Sequence, residues 1–165
     1  MACRGVHFAL ATEEESRLLG LAGDDAAVID FVTEEVEDRW DRDWLHQSDK
    51  AWDAIDRCLN GGRYVYGATD ASCKAILSGR DLIQDDDGYY VIYLTAAEVG
   101  VVAEQLAAID AEALGRLYDE HLPGSDYEDV RPEDREYTLG WYEDLPKFFA
   151  KAAAAGRSVI FTVDQ

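Results

Sequence analysis

The stretch SDKAWDAIDRCLNGG, Ser48 to Gly62, gathers the residue types that could do chemistry. Lys50, Asp53 and Asp56 are groups that move protons or hold a charged ligand, and the indole of Trp52 offers a flat surface beside them. The phenol of Tyr127 is a further candidate for a cleft built on this segment. The same spacing has a plainer reading. Trp52, Ile55 and Leu59 recur at i, i+3 and i+7, one stripe of a helix. Ser48 has the side chain of an N-cap, and Asp49 the charge that a first helical turn favours. Asp53 and Arg57 form an i, i+4 pair, acid first, and Asn60 and Gly61 end the helix. The expectation is therefore a core helix anchored by Trp52, with a small polar corner of Lys50, Asp53 and Asp56. Lys50 is the least explained of these, since a cation opposes the helix dipole in a first turn.

Other chemistry finds little support. Phosphate-binding glycine loops, the H-E-x-x-H zinc motif, C-x-x-C and a nucleophile elbow are all missing. The three histidines, His7, His46 and His121, are scattered, and His7 falls in a strand. His46 with Asp49, or His121 with Asp119 and Asp126, has the donor types that divalent ions accept. Nearness in sequence fixes no geometry, however, and neither a metal nor a cofactor is expected. Cys3, Cys58 and Cys73 are odd in number and lack metal-type spacing, which suggests reduced structural thiols in a cytoplasm.

Charge is the strongest compositional signal. Thirty-five acidic residues face 15 basic ones, a formal net charge of −20 in 165 residues. Phosphate contacts need a basic surface, so neither nucleic acid nor an anionic membrane is an expected partner. A cationic protein suits this charge better. No run approaches the ~18 apolar residues of a membrane helix. The first fifteen residues turn acidic too soon for a leader peptide. Arginine outnumbers lysine and alanine is abundant, a bias that fits a bacterial source.

The elements that must position these residues alternate between strand and helix. GVHFALA, from Gly5, YYVIYL (Tyr89–Leu94) and SVIFTV (Ser158–Val163) read as strands. A short helix is expected after Thr12, with Thr12 and Glu15 as a capping box. A long one is expected from about Asp24 to Trp44, with Ile29, Val32, Val36 and Trp40 inward and Glu34, Glu35, Glu37, Asp38 and Asp41 on a solvated face. Thr95 and Glu98 form a second capping box before Val99, Val102 and Leu106. A helix is expected from Ala111 to Tyr118, and another from Tyr137 to Ala155, interrupted at Pro146. Asp70–Gly79 reads as a short helical turn and Asp85–Gly88 as an exposed loop. The strands are apolar without alternation, as expected where helices cover both sheet faces. The fold class expected is α/β, with α+β as the alternative. It would be one domain over 1–165, a three-layer α-β-α sandwich around a small mixed sheet, with the first and last strands inside it.

Three segments together resemble one family. DKAWDAIDRCLNGG is similar to the K-x-W-x-x-L-H-x-x-L-x-G signature of the YfbM-like proteins, a bacterial family of unknown function. YYVIYLTAAEVGVVAEQLAAID resembles that family's strand, helix cap and helix, and FFAKAAAAGRSVIFTV its closing helix and strand. Lys50, Trp52, Leu59 and Gly61 match the signature, and Ile55 stands for its leucine. The signature histidine falls on Asp56, so histidine chemistry is not expected at this helix. The resemblance implies the same three-layer sandwich and brings no established activity.

The leading functional expectation is a small acidic cytoplasmic binding module that engages a cationic protein partner, immunity-type or regulatory. The alternative is an enzyme of unrecognised type, with a cleft near Lys50, Trp52 and Asp56. A third reading is a domain whose role lies in an assembly. Oligomeric state is not legible in the sequence.

Overall fold

The structure is a computed structural model that describes residues 3–67, 70–84 and 88–164. Five strands form one sheet in the order β2 (Leu45–Asp49), β1 (Gly5–Leu10), β5 (Ser158–Asp164), β4 (Tyr89–Leu94), β3 (Arg80–Asp81). The three strands legible as apolar runs are its three central members. The first and last strands pair with each other at the centre, His7 opposite Phe161 and Phe8 opposite Ile160. Every neighbouring pair is antiparallel, which corrects the expected mixed sheet. Apolar continuity in a strand records burial of both faces, and an antiparallel strand covered on both faces shows it equally well.

Those faces are closed by unequal layers. On one side lie α1 (Thr12–Gly20), α2 (Asp25–Phe31) and a π-helical turn (Val32–Glu37). Leu18, Val28, Phe31, Val32 and Val36 pack there against Val6, Phe8, Leu10, Val91, Tyr93 and Ile160. On the other side lie α3 (Trp52–Leu59), α4 (Ala96–Ala107), α5 (Ala111–His121), α6 (Pro132–Tyr142) and α7 (Leu145–Ala154). This thicker layer buries Ala9, Ile92, Leu94, Val159, Phe161 and Val163. Strand residues thus alternate between two separate cores, and the α-β-α sandwich expected from the sequence is the fold.

Local physics accounts for most boundaries. Asp24 accepts a hydrogen bond from the Ala27 amide and starts α2. Thr95 and Glu98 form the expected capping box of α4. Pro132 opens α6 in its first turn, and Pro146 sits in the first turn of α7, where a missing amide costs nothing. The chain breaks between these helices at Glu143 and Asp144.

Several expectations need correction. Helix α1 is capped one residue early: its cap is Ala11, whose amide donates to Glu14 at 2.8 Å. The long helix over 24–44 does not form. It ends in the π-helical turn, and Trp40 then takes a left-handed backbone, φ 46°. Residues 45–49 are strand β2, and α3 begins only at Trp52, so Ser48 is a buried strand residue and not a helix cap. LHQSD has no apolar alternation to mark strand β2; the side chains it turns inward are His46 and Ser48. Asp70–Gly79 is irregular and not a helical turn. Of the acidic loop at Asp85–Gly88, Asp85, Asp86 and Asp87 lie outside the described residues.

Trp52 is the clasp between α3 and the centre of the sheet. It is 6% exposed, its indole nitrogen donates to the Cys3 carbonyl at 3.1 Å, and its ring lies 6.2 Å from that of Phe161. The approach requires glycine at position 5: a Cβ there would sit 2.7 Å from the Phe161 ring and 2.9 Å from that of Trp52. Trp52→Ala is therefore expected to cost about 3–5 kcal/mol and Gly5→Ala about 1–3 kcal/mol in denaturant melts. Wild-type stability of either variant would contradict this packing.

Candidate functional site

The sequence candidates separate into two environments. Lys50 lies in the turn between β2 and α3, exposed, and its side chain forms no ion pair among the described residues. Its backbone amide donates to the Tyr137 hydroxyl at 3.4 Å, and that hydroxyl donates to Asp49 at 2.6 Å. Trp52 and Asp56 are enclosed, Trp52 against the sheet and Asp56 against the irregular segment that follows α3. The structure does not bring Lys50, Trp52 and Asp56 to a shared cleft.

Asp53 and Tyr127 do meet, through Arg57. The Arg57 guanidinium, 7% exposed, pairs with Asp53 at 2.7 Å and with Asp126. It lies 5.5 Å from the centre of the Tyr64 ring and 5.8 Å from that of Tyr127. Tyr127 and Tyr118 both reach Asp134, at 3.1 and 2.6 Å. Burial pushes the Asp53 carboxyl up, against the opposing pull of Arg57. Burial also pushes the Tyr127 phenol up, reinforced by Asp134. Arg57, which the sequence marks only as the helical partner of Asp53, is the hub of this corner. The Asp53 to Arg57 spacing pointed to a helical pair, but residues 64, 126 and 127 are brought to it only by the fold.

Asp56 is fully buried and acts as an anchor. Its carboxylate accepts from the backbone amide of Val65 at 3.4 Å and from the Asn60 side chain at 3.3 Å, and the Leu77 amide also points to it. Asn60 completes the clamp by bonding both the amide and the carbonyl of Cys73. One turn of α3 thereby fixes the irregular segment that runs to β3. Burial pushes the Asp56 carboxyl up to about 7, against those amide donors.

His7 and His46 face each other across β1 and β2, ring centres 6.0 Å apart, and are buried. His7 Nε2 donates to the Ala75 carbonyl at 2.8 Å. Burial is the main cause that pulls His7 down to about 3 and His46 down to about 4, so both are neutral at pH 7. Asp119 pairs with Arg135 and Asp126 with Arg57. Among the described residues no group of three or more His, Cys, Asp or Glu is gathered as a metal-binding set.

The acidic residues are unevenly spread. Residues 12–43, the thin helical layer, hold twelve acidic residues against three basic ones, a net charge of −9 within the total of −20. Two of those bases are already paired inside the layer, Arg17 with Glu35 and Arg39 with Glu14. Glu34, Glu35 and Asp38 face solvent as expected, but Glu37 turns inward. In an α-helix residues five apart lie about 140° around the axis from each other. The i→i+5 closure of the π-helical turn, seen in the Asp38 amide bonding the Thr33 carbonyl, brings Glu37 round to the side of Val32. There its Oε1 accepts from the hydroxyls of Tyr89 and Thr162, each at 2.8 Å. No local signal in VTEEVE marks the wider turn.

The buried Asp56 gives a testable pH dependence. Its proton is held in the folded chain up to about pH 7 and released by the unfolded chain near 3.8. The stability it contributes is thus fully present below pH 3.8 and lost as pH rises to about 7. Asp56→Asn removes the titration. Its destabilisation relative to wild type is expected to be largest near pH 4 and to shrink by about 1.4 kcal/mol per pH unit up to pH 7, in urea melts across that range. A difference that does not vary with pH would contradict the raised carboxyl.

Comparison with known proteins bears on the whole chain. A family model described as a domain of unknown function, DUF1877, matches residues 1–162. The crystal structure of YfbM from Escherichia coli, a protein of unknown function, is similar at a TM-score of 0.63 and 16% identity, covering 97% of this chain and 99% of that one. At that identity the likeness is one of fold. No curated protein matches. The match over nearly the full chain places it: the chain belongs to the DUF1877 family of YfbM-like domains.

Proposed function

We propose that the protein is an acidic binding module that engages a cationic protein partner in a bacterial cytoplasm. The observation that carries this reading is the state of its basic residues. Among the described residues, ten of the fifteen are held in ion pairs. Lys151 and Arg157 are further engaged, 4.5 and 3.6 Å from the centre of the Trp44 ring, and donate to backbone carbonyls. Among the described residues, what the surface presents outside ion pairs is thus mostly carboxylate, with Arg42, Lys50 and Arg80 as the exposed bases, and it is densest on the layer of α1, α2 and the π-helical turn. Charge of one sign on one face speeds encounter with a complementary surface and excludes polyanions. Three thiols, two of them buried, fit a reducing compartment. No described helix is long and apolar enough to cross a membrane.

The test must separate a specific face from mere net charge. Two triple variants carry the same change: Glu13, Glu34 and Asp38→Lys on the thin layer, and Glu104, Glu120 and Glu128→Lys on the opposite side. All six residues are exposed. In-cell cross-linking followed by mass spectrometry is expected to recover a basic partner with wild type and with the second variant, and to lose it with the first. Equal loss in both variants, or recovery of partners that are not basic, would contradict the proposal.

A further inference from the structure

The inward turn of Glu37 opens onto a crevice of about 500 Å³ between the thin helical layer and the end of the sheet. Its size lies in the range of small-ligand sites. Ile29, Thr33, Glu37 and Trp40 line it from the layer, with Tyr89 and Thr162 among those contributed by the sheet. Two features of its wall are unusual. The π-helical turn is a rare winding that is enriched at functional sites. Trp40 holds φ 46°, a left-handed backbone that a bulky residue adopts only at a cost of about 1–3 kcal/mol. Its ring is set by an edge contact to Phe8, centres 5.9 Å apart, so the strained residue is held in place by the core beneath it.

The polar chemistry of the crevice is that of a cation receptor. Glu37 receives two neutral hydroxyl donors on Oε1, and among the described residues no lysine, arginine or histidine pairs with it. Tyr89 and Thr162 hold the carboxylate in one orientation without neutralising it. Among the described residues the one base on the lining, Arg4, is directed to Asp49 at 3.4 Å, and its side chain is 71% exposed. A carboxylate on a wall that also carries an indole and a phenol favours a flat cation, which can stack on a ring and donate to an oxygen together. An ammonium can also sit over a ring, as Lys151 does at Trp44, but only a guanidinium can lie flat along an aromatic face while its in-plane N–H groups pair with a carboxylate.

We propose that this crevice receives the guanidinium of an arginine side chain presented by a protein partner. The proposal rests on the binding-module reading for the identity of that partner, but not for the site itself. The probe is therefore a small molecule, N-acetyl-arginine amide, titrated into the full chain and followed by amide and indole NMR shifts. N-acetyl-citrulline amide, of the same shape without the charge, is the control. Arginine amide is expected to shift the Trp40 indole N–H and the amides of Thr33–Glu37, and citrulline amide to leave them in place. Glu37→Gln keeps an acceptor for Tyr89 and Thr162 but removes the charge; it is expected to weaken binding about tenfold or more, with the fold intact by its spectrum. Arg4→Ala, which removes a like charge from the rim, is expected to tighten binding.

Equal shifts with arginine and citrulline, shifts spread over the acidic surface, or an unchanged affinity in Glu37→Gln would overturn the proposal. A loss of binding in Arg4→Ala would do so too, because Arg4 would then be contacting an anionic group. Failure here with a basic partner still captured through the thin layer would refute the crevice alone. A functioning crevice with no basic partner captured would refute the module reading alone.

Discussion

The pairing of the first strand with the last is the constraint on which the rest of the fold depends. β1 and β5 lie side by side at the centre of the sheet, with β2 and β4 added on either flank. Neither core can close until that pair exists, because each takes alternate residues from both strands: Phe8 and Ile160 face the thin layer, Ala9 and Phe161 the thick one. A contact between residues more than 150 positions apart carries a large loop-closure entropy. It is offset by apolar burial on both faces of both strands. Gly5, at the start of β1, then lets Trp52 reach Phe161, so the helix that carries the family signature is seated on this pair.

The two layers built on that sheet do different work. The thick one holds five helices and the clamp of Asp56 and Asn60, which ties the irregular segment after α3 to a buried carboxylate. The thin one spans two short helices and a π-helical turn, and it carries close to half of the net charge on a fifth of the chain. Its mutual repulsion opposes compactness, and the apolar undersides of Leu18, Val28, Phe31, Val32 and Val36, with the bonds of Glu37 to Tyr89 and Thr162, hold it down. A layer that is costly in charge and marked by a strained tryptophan is where function is most economically sought.

What the sequence made legible follows from how local its signals are. The three central strands and the Thr95 to Glu98 cap are written in adjacent residues, and so were readable. The edge strand β2 carries no such signal, because its inward residues are histidine and serine, polar side chains that β1, α6 and α7 enclose. The signature segment was half legible: the stripe of Trp52, Ile55 and Leu59 is buried as its spacing demands, while Ser48 looks like a cap and belongs to a strand. The Arg57 hub and the Glu37 crevice were beyond reach for a different reason. Each joins residues from segments distant in the chain, and the crevice further depends on a helix winding that nothing in VTEEVE announces.

Native-state hydrogen exchange tests the central claim most directly. If the β1–β5 pair is the frame of the molecule, the amides of Val6–Leu10 and Val159–Val163 that bond across it should exchange only by global unfolding. They should share one free energy, equal to that from denaturant melts, and respond together to denaturant. Amides of the π-helical turn should exchange through a smaller opening that leaves the strands protected. Exchange of β1 at a lower free energy than β4 would contradict the account, since the first strand would then be an addition to a sheet that stands without it.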